Sequence, residues 1–261
     1  MNNPVTRAEE AIGRLRAVAA ASDGKVRLGP GIPDDVIDTW PVPVPSDIRL
    51  LAREIGAISF DDHAPVTFGH PENTETRCCR AGAPATWWAL HDNAAAETYF
   101  ADIDSETGAW GPVFYHWEDN TCTLVAPSVS DWFAALAEGL DLSLRVAGGE
   151  QVEDLVLDLD DDDRYDLDFE TVFRDWWTNT AEILLPRDES TATTLDALSA
   201  RRCSDTELAA AAATLPDEAL IADLRAPQYP TFIPFDALPG GSAHYRRFGG
   251  GTFIAAVPAD S

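Results

Sequence analysis

The side chains with the most evident chemical potential in this 261-residue chain are carboxylates, and their densest run is Asp160, Asp161, Asp162 and Asp163. Aspartates at 158, 160 and 162 match the first three ligand positions of a calcium-binding EF-hand loop. That loop next requires a glycine and ends on a bidentate glutamate, whereas this chain supplies Asp163 and Phe169. The run therefore departs from an EF-hand. Three uses remain: a solvated connection, a weak divalent-ion site, or an acidic surface that draws a basic partner and raises its association rate. A second group, Asp102, Asp104 and Glu106, precedes Thr107-Gly108. Paired carboxylates can do acid/base work or hold a metal, but Asp and Thr-Gly between two strand-like runs are explained by hairpin turn chemistry.

Nucleophilic and metal chemistry find no comparable footing. The histidines, at 63, 70, 91, 116 and 244, show no HExxH spacing, and the cysteines, at 78, 79, 122 and 203, show no CxxC pattern. His91 and His116 fall at expected strand ends, where a histidine with a structural hydrogen bond is the ordinary outcome. There is no G-x-S-x-G elbow, and the glycines at 240–241 and 249–251 lack the frame of a phosphate-binding loop. The reading assigns no catalytic residue, no metal ligand and no cofactor. Two tryptophan pairs remain: Trp87-Trp88 on a strand must point to opposite faces, and Trp176-Trp177 on a helix diverge by about 100°. One member of each pair can enter a core while the other covers a helix or anchors a partner, so Trp88 and Trp177 join Asp160 to Asp163 as candidate partner-binding residues.

Charge limits what that partner is. With 45 acidic against 18 basic side chains the formal net charge is −27, and Lys25 is the only lysine. A general nucleic-acid binder needs clustered Lys and Arg, so direct nucleic-acid binding is excluded and a neutral or basic partner is expected. No window approaches the roughly 18 uninterrupted apolar residues of a membrane span, and the N-terminal stretch is interrupted by Glu9, Glu10 and several arginines. A reduced, cytoplasmic protein is the economical expectation.

The elements that must position these residues follow from periodicity. Val5, Ala8, Ile12, Leu15 and Ala19 predict a helix over 6–20, opened by the Thr6/Glu9 capping spacing. The proline-rich stretch 28–45 reads as an ordered loop, and Ser46 caps a second helix with Ile48, Leu51, Ala52 and Ile55 on one side. Short aromatic and β-branched runs from 63 to 126 predict an antiparallel meander, and Ser128 to Leu140 a helix with Trp132, Phe133, Leu136 and Leu140 on one face. After residue 147 the character changes, with acids crowding 150–170. An aromatic helix over 169–184, an alanine-rich helix over 204–215 begun by Ser204/Glu207, and three or four strands complete the chain. The expected class is α+β, with a central antiparallel sheet flanked by helices and a second α+β segment. The expected division is 1–147, an acidic connection at 148–170, and a C-terminal region at 171–261.

Between about residues 28 and 142 the chain resembles the SUKH superfamily, the Smi/Knr-type proteins of fungal cell-wall regulation and bacterial immunity. The resemblance rests on the order and spacing of VPVPSDIRLLAREIGAISF, YFADIDSETGAWGPVFYHW and APSVSDWFAALAEGL. It implies an α+β domain without a shared catalytic residue and, for bacterial members, neutralisation of a cognate polymorphic toxin by direct binding. The long acidic extension and the aromatic helix after it depart from that pattern. The functional expectation is thus a non-enzymatic immunity protein whose partner is a basic, nuclease-like toxin. A Smi/Knr-type interaction module for an endogenous partner, and a metal-dependent hydrolase using the acidic run, are the alternatives.

Overall fold

The computed structural model describes residues 3–60, 64–69, 87–92, 97–104, 107–116, 122–150, 168–182, 191–235, 243–248 and 251–259. The first helix, α1 (Pro4–Ala21), begins earlier than the Thr6/Glu9 spacing predicts, because Asn3 accepts the Val5 N–H and Pro4 occupies the first turn. Ala8, Ala11, Ile12, Leu15 and Val18 form its buried stripe, and Asp23 and Gly24, both with positive φ, turn the chain away. Strand β1 (Val26–Leu28) then pairs antiparallel with β2 (Ala57–Phe60), which pairs with β3 (Val66–Thr67) in a small three-stranded sheet. The proline-rich stretch between them is ordered and contains a single helical turn, α2 (Asp34–Ile37). It buries Ile37 and Trp40 before α3 (Ser46–Glu54) presents Ile48, Leu51 and Ala52 to the core. Ser46 is the first helical residue and makes no side-chain cap, which Pro45 replaces by setting the entering φ.

The expected meander is present as β4 (Trp87–Asp92), β5 (Thr98–Ile103), β6 (Trp110–His116) and β7 (Cys122–Ala126). Ser128 caps the following α4 (Val129–Ala147), accepting the Asp131 N–H at 3.1 Å. Helix α5 (Phe169–Glu182) packs on α4 and inserts Phe169, Phe173 and Trp177, four residues apart, into the same core. Beyond it lie β8 (Thr193–Asp196), α6 (Ala197–Arg202), α7 (Thr206–Ala212), β9 (Leu220–Asp223), β10 (Thr231–Ile233), β11 (Ala243–Phe248) and β12 (Phe253–Pro258). Helix α7 is capped by Asp205, which accepts the Glu207 and Leu208 N–H groups, rather than by Ser204.

The strand order explains the layering. The central sheet runs β10-β7-β6-β5-β4 and the second sheet β11-β12-β9-β8, both antiparallel. One face of the central sheet, with Trp88, Leu90, Tyr99 and Tyr115, meets α4 and α5, and α1 and α3 pack on α4 in the same core. The other face, with Trp87, Phe100, Phe114 and Leu124, meets Tyr245, Ile254 and Ala256 of the second sheet. The far side of that second sheet packs Phe253, Ala255 and Val257 against Ala197, Leu208 and Ala212 of α6 and α7. Helices, sheet, sheet and helices thus stack as α+β layers.

The expected division after residue 147 does not separate these cores. Helix α5 completes the core built by 1–147, and β10 pairs with β7 at the edge of the central sheet. The run TFIPF reads correctly as a strand, but its hydrogen bonds go to the first half of the chain.

Candidate functional site

Asp160 to Asp163 lie outside the described residues, as do Glu106, His63, His70, Cys78, Cys79 and Trp117. Trp88 and Trp177 are described, and both are core side chains. Trp88 is 3% exposed, donates its indole N–H to the Phe68 carbonyl at 3.2 Å, and sits 4.8 Å from the Trp40 ring. Trp177 is 5% exposed, donates its N–H to Glu97, and touches Tyr99 edge-on at 4.7 Å. Both named partner-binding candidates, Trp88 and Trp177, are thus buried side chains rather than surface anchors. Trp87 and Trp88 do point to opposite faces, but each face of the sheet is covered by another layer. Trp176 is half-buried and packs against the same core as Trp177.

The DxDxxTG segment splits into two unlike sites. Asp104 is turn chemistry: its Oδ1 accepts from the Thr107 N–H at 2.7 Å and the Thr107 hydroxyl at 3.0 Å, while Gly108 closes the turn with φ +71°. Asp102 lies one pleat inside the strand, 1% exposed, facing the second sheet rather than the turn. Arg247 of β11 reaches it across the seam. One guanidinium nitrogen, Nη2, lies 2.5 Å from Asp102 Oδ2, and the other, Nη1, lies 3.4 Å from Asp104 Oδ2 and 3.5 Å from the Ile103 carbonyl. Both side chains of this contact are largely buried, Arg247 being 10% exposed. Burial pushes the Asp102 carboxyl up to about 6; Arg247 and the Trp87 indole pull it back, and Asp104 adds to the rise. A buried arginine on a strand requires a carboxylate, and alternation along AHYRRF puts Tyr245 and Arg247 on one face. That was the signal in the sequence for Arg247, though not for which acid it meets.

Among the described residues, the two buried histidines differ. His116 Nε2 lies 2.7 Å from the Tyr245 hydroxyl, the structural bond expected of it. His91 is 2% exposed with neither ring nitrogen in a hydrogen bond, and its Nε2 stands 3.8 Å from Glu97 Oε2. Cys122 is fully buried, and burial pushes its thiol far above the ordinary range, so it is not held as a nucleophilic thiolate. Among the described residues no group of three or more His, Cys, Asp or Glu side chains is placed to hold a metal ion, and no helix is long and apolar enough to cross a membrane.

The outer surface is defined by how its arginines are used. Arg7 pairs with Asp131, Arg14 with Glu138, Arg16 with Glu54, Arg49 with Asp34 and Asp38, Arg145 with Asp141 and Glu150, and Arg225 with Asp205 and Asp223. Exposed pairs of this kind add little to stability. Their consequence is electrostatic, because cations already engaged by local acids leave the surplus carboxylates to set the field. Large exposed hydrophobics among the described residues are Val36 and Tyr229. The chain matches no model of a known protein family, and no curated protein matches its sequence.

Proposed function

We propose that this chain is a non-enzymatic binding protein of the immunity type, acting in the cytoplasm by occluding a cognate basic toxin. The observation that carries this reading is the net charge of −27 on a molecule in which nine of the thirteen described arginines pair with its own acids. Such a field attracts a cationic protein over a Debye length of about 8 Å at physiological salt and speeds its capture. The SUKH-like motif order supports the role. Its segments fall on α3 into β2, on the β5–β6 hairpin, and on β7 into α4. Both faces of the central sheet are covered, so occlusion uses helix surfaces, hairpin tips and the acidic run, with Asp160 to Asp163 as steering residues.

The test is co-expression with the product of the adjacent gene, scored for rescued growth and for a co-purifying complex. Rescue with a stable complex supports immunity. With the neighbour shown to be expressed and toxic, failure of both moves the reading to an endogenous partner. For the complex, reversing the charges at Asp160 to Asp163 is expected to slow association several-fold at low salt and leave dissociation nearly unchanged. Stopped-flow rates at two salt concentrations check this, and an unchanged association rate removes the steering role.

A further inference from the structure

Val36 and Tyr229 are the large hydrophobics left exposed among the described residues, and Val36, at 45%, is the more open. It stands on the single turn of α2, whose next residue, Ile37, is 1% exposed and pins the turn to the first core. The chain then passes Trp40 and runs through Pro41 and Pro43, both exposed, with Val42 and Val44 packed against the same core. Pro43 meets the β5–β6 turn. Its carbonyl accepts the Trp110 indole N–H at 2.9 Å, and a Cβ at Gly108 would stand 2.6 Å from its ring, so glycine is what lets the two segments touch. Trp110 is half-buried, with its ring 6.5 Å from Trp40 and 5.3 Å from Trp88. Two stretches distant in sequence thus bring Val36, Pro41, Pro43 and Trp110 to one apolar surface.

That surface is held in shape before anything binds. Arg49 of α3 donates to Asp34 at 2.9 Å and to Asp38 at 2.6 Å, bridging the start of α2 and its C-terminal cap, while the Thr39 hydroxyl donates to the Val36 carbonyl at 2.7 Å. The prolines fix their own φ and leave little chain entropy to lose on docking. The rim is acidic. Asp34, Asp35, Asp38 and Asp47 belong to α2, its cap and the first turn of α3, and the cations paired with them are Arg49 and Arg53. Asp35 is exposed and makes no ion pair among the described residues.

We infer that this surface is where the protein docks a basic partner protein, an inference that rests on the binding role proposed above and names its contact surface. An apolar centre with an aromatic and a charged rim is the anatomy of a protein interface, and a preformed one loses least on binding. The sign of the rim chooses the occupant. A second copy of this chain would bring like carboxylates together under a net charge of −27, whereas Lys and Arg around an apolar knob meet them with opposite charge.

The test uses the full chain and the product of the adjacent gene. Hydrogen exchange with and without that protein should show protection of peptides covering 34–49 and 107–111. Val36→Asp removes the apolar anchor while adding a carboxylate that can only help steering, so its complex should dissociate about tenfold faster. Asp35→Arg should slow association more than Glu218→Arg, the same charge change on the exposed turn before β9. A complex that forms without protecting 34–49, or whose dissociation Val36→Asp leaves within about twofold, overturns the surface and leaves the binding role standing. Equal slowing by the two charge changes overturns the acidic rim's part in it. No complex at all with an expressed, toxic neighbour overturns the binding role itself, and the surface with it. The exchange footprint needs no substitution, so the question stays decidable if Val36→Asp fails to fold.

Discussion

Asp102 and Asp104 are the same residue two positions apart, and their environments assign them opposite work. Asp104 accepts two bonds from Thr107 on an exposed turn, so Asp104→Ala should cost about 1 kcal/mol, read as a lower urea midpoint at unchanged slope. This turn role was legible in the sequence, because Thr107 and Gly108 lie within four residues, whereas the contact of Asp104 with Arg247 was not. The environment of Asp102 was not, because Arg247 stands far along the chain and only the stacking of two sheets brings them together. The same holds for His116, whose structural bond was expected but whose partner Tyr245 could not be named. Tyr245→Phe keeps the ring packing and removes the hydroxyl, leaving a buried imidazole nitrogen without its partner. A loss of about 1–2 kcal/mol is expected by chemical denaturation, and no loss would mean that the contact contributes nothing net.

Among the elements, α4 and α5 show how tightly the first core is fitted. Gly139 of α4 lets the Trp176 ring of α5 approach so closely that a Cβ would fall 2.2 Å from its atoms. Gly139→Ala must push the helices apart or turn the indole, and overpacking of this kind costs about 1–3 kcal/mol. Gly13 of α1 provides the opposite case, an exposed helical glycine with open space around its missing Cβ. Gly13→Ala should stabilise by about 0.5–1 kcal/mol. Thermal melts of the two variants should therefore move in opposite directions; a shared direction would contradict the packing of α4 on α5. Helical stripes such as Trp132, Phe133, Leu136 and Leu140 were readable because helical periodicity is local. Helix starts were less so. The caps are Asn3, three residues before Thr6, and Asp205, one residue after Ser204, because these are the side chains whose oxygens accept the free N–H groups of the first turn.

For the whole molecule the governing fact is that two of the three cores draw on both halves of the chain. The composition change after residue 147 suggested a boundary, yet the packing of the described residues runs across it. Strands buried on both faces read as continuous apolar runs, so WWAL and TYFADI carried no alternation to say that a second sheet would cover them. A chain ending at residue 147 would lose Phe169, Phe173 and Trp177 from the first core and the β10 partner of β7. It would also expose Trp87, Phe100, Phe114 and Leu124. Re-exposing those four side chains alone forfeits on the order of 6–12 kcal/mol, at about 1.5–3 kcal/mol each. Total stabilities are only about 5–15 kcal/mol. The truncated chain should therefore show no cooperative thermal transition by circular dichroism and should bind a hydrophobic dye, whereas the full chain melts as one unit. A sharp melt with native near-ultraviolet ellipticity in the truncated chain would mean that the first 147 residues are self-sufficient and that the second sheet is an addition to a finished fold.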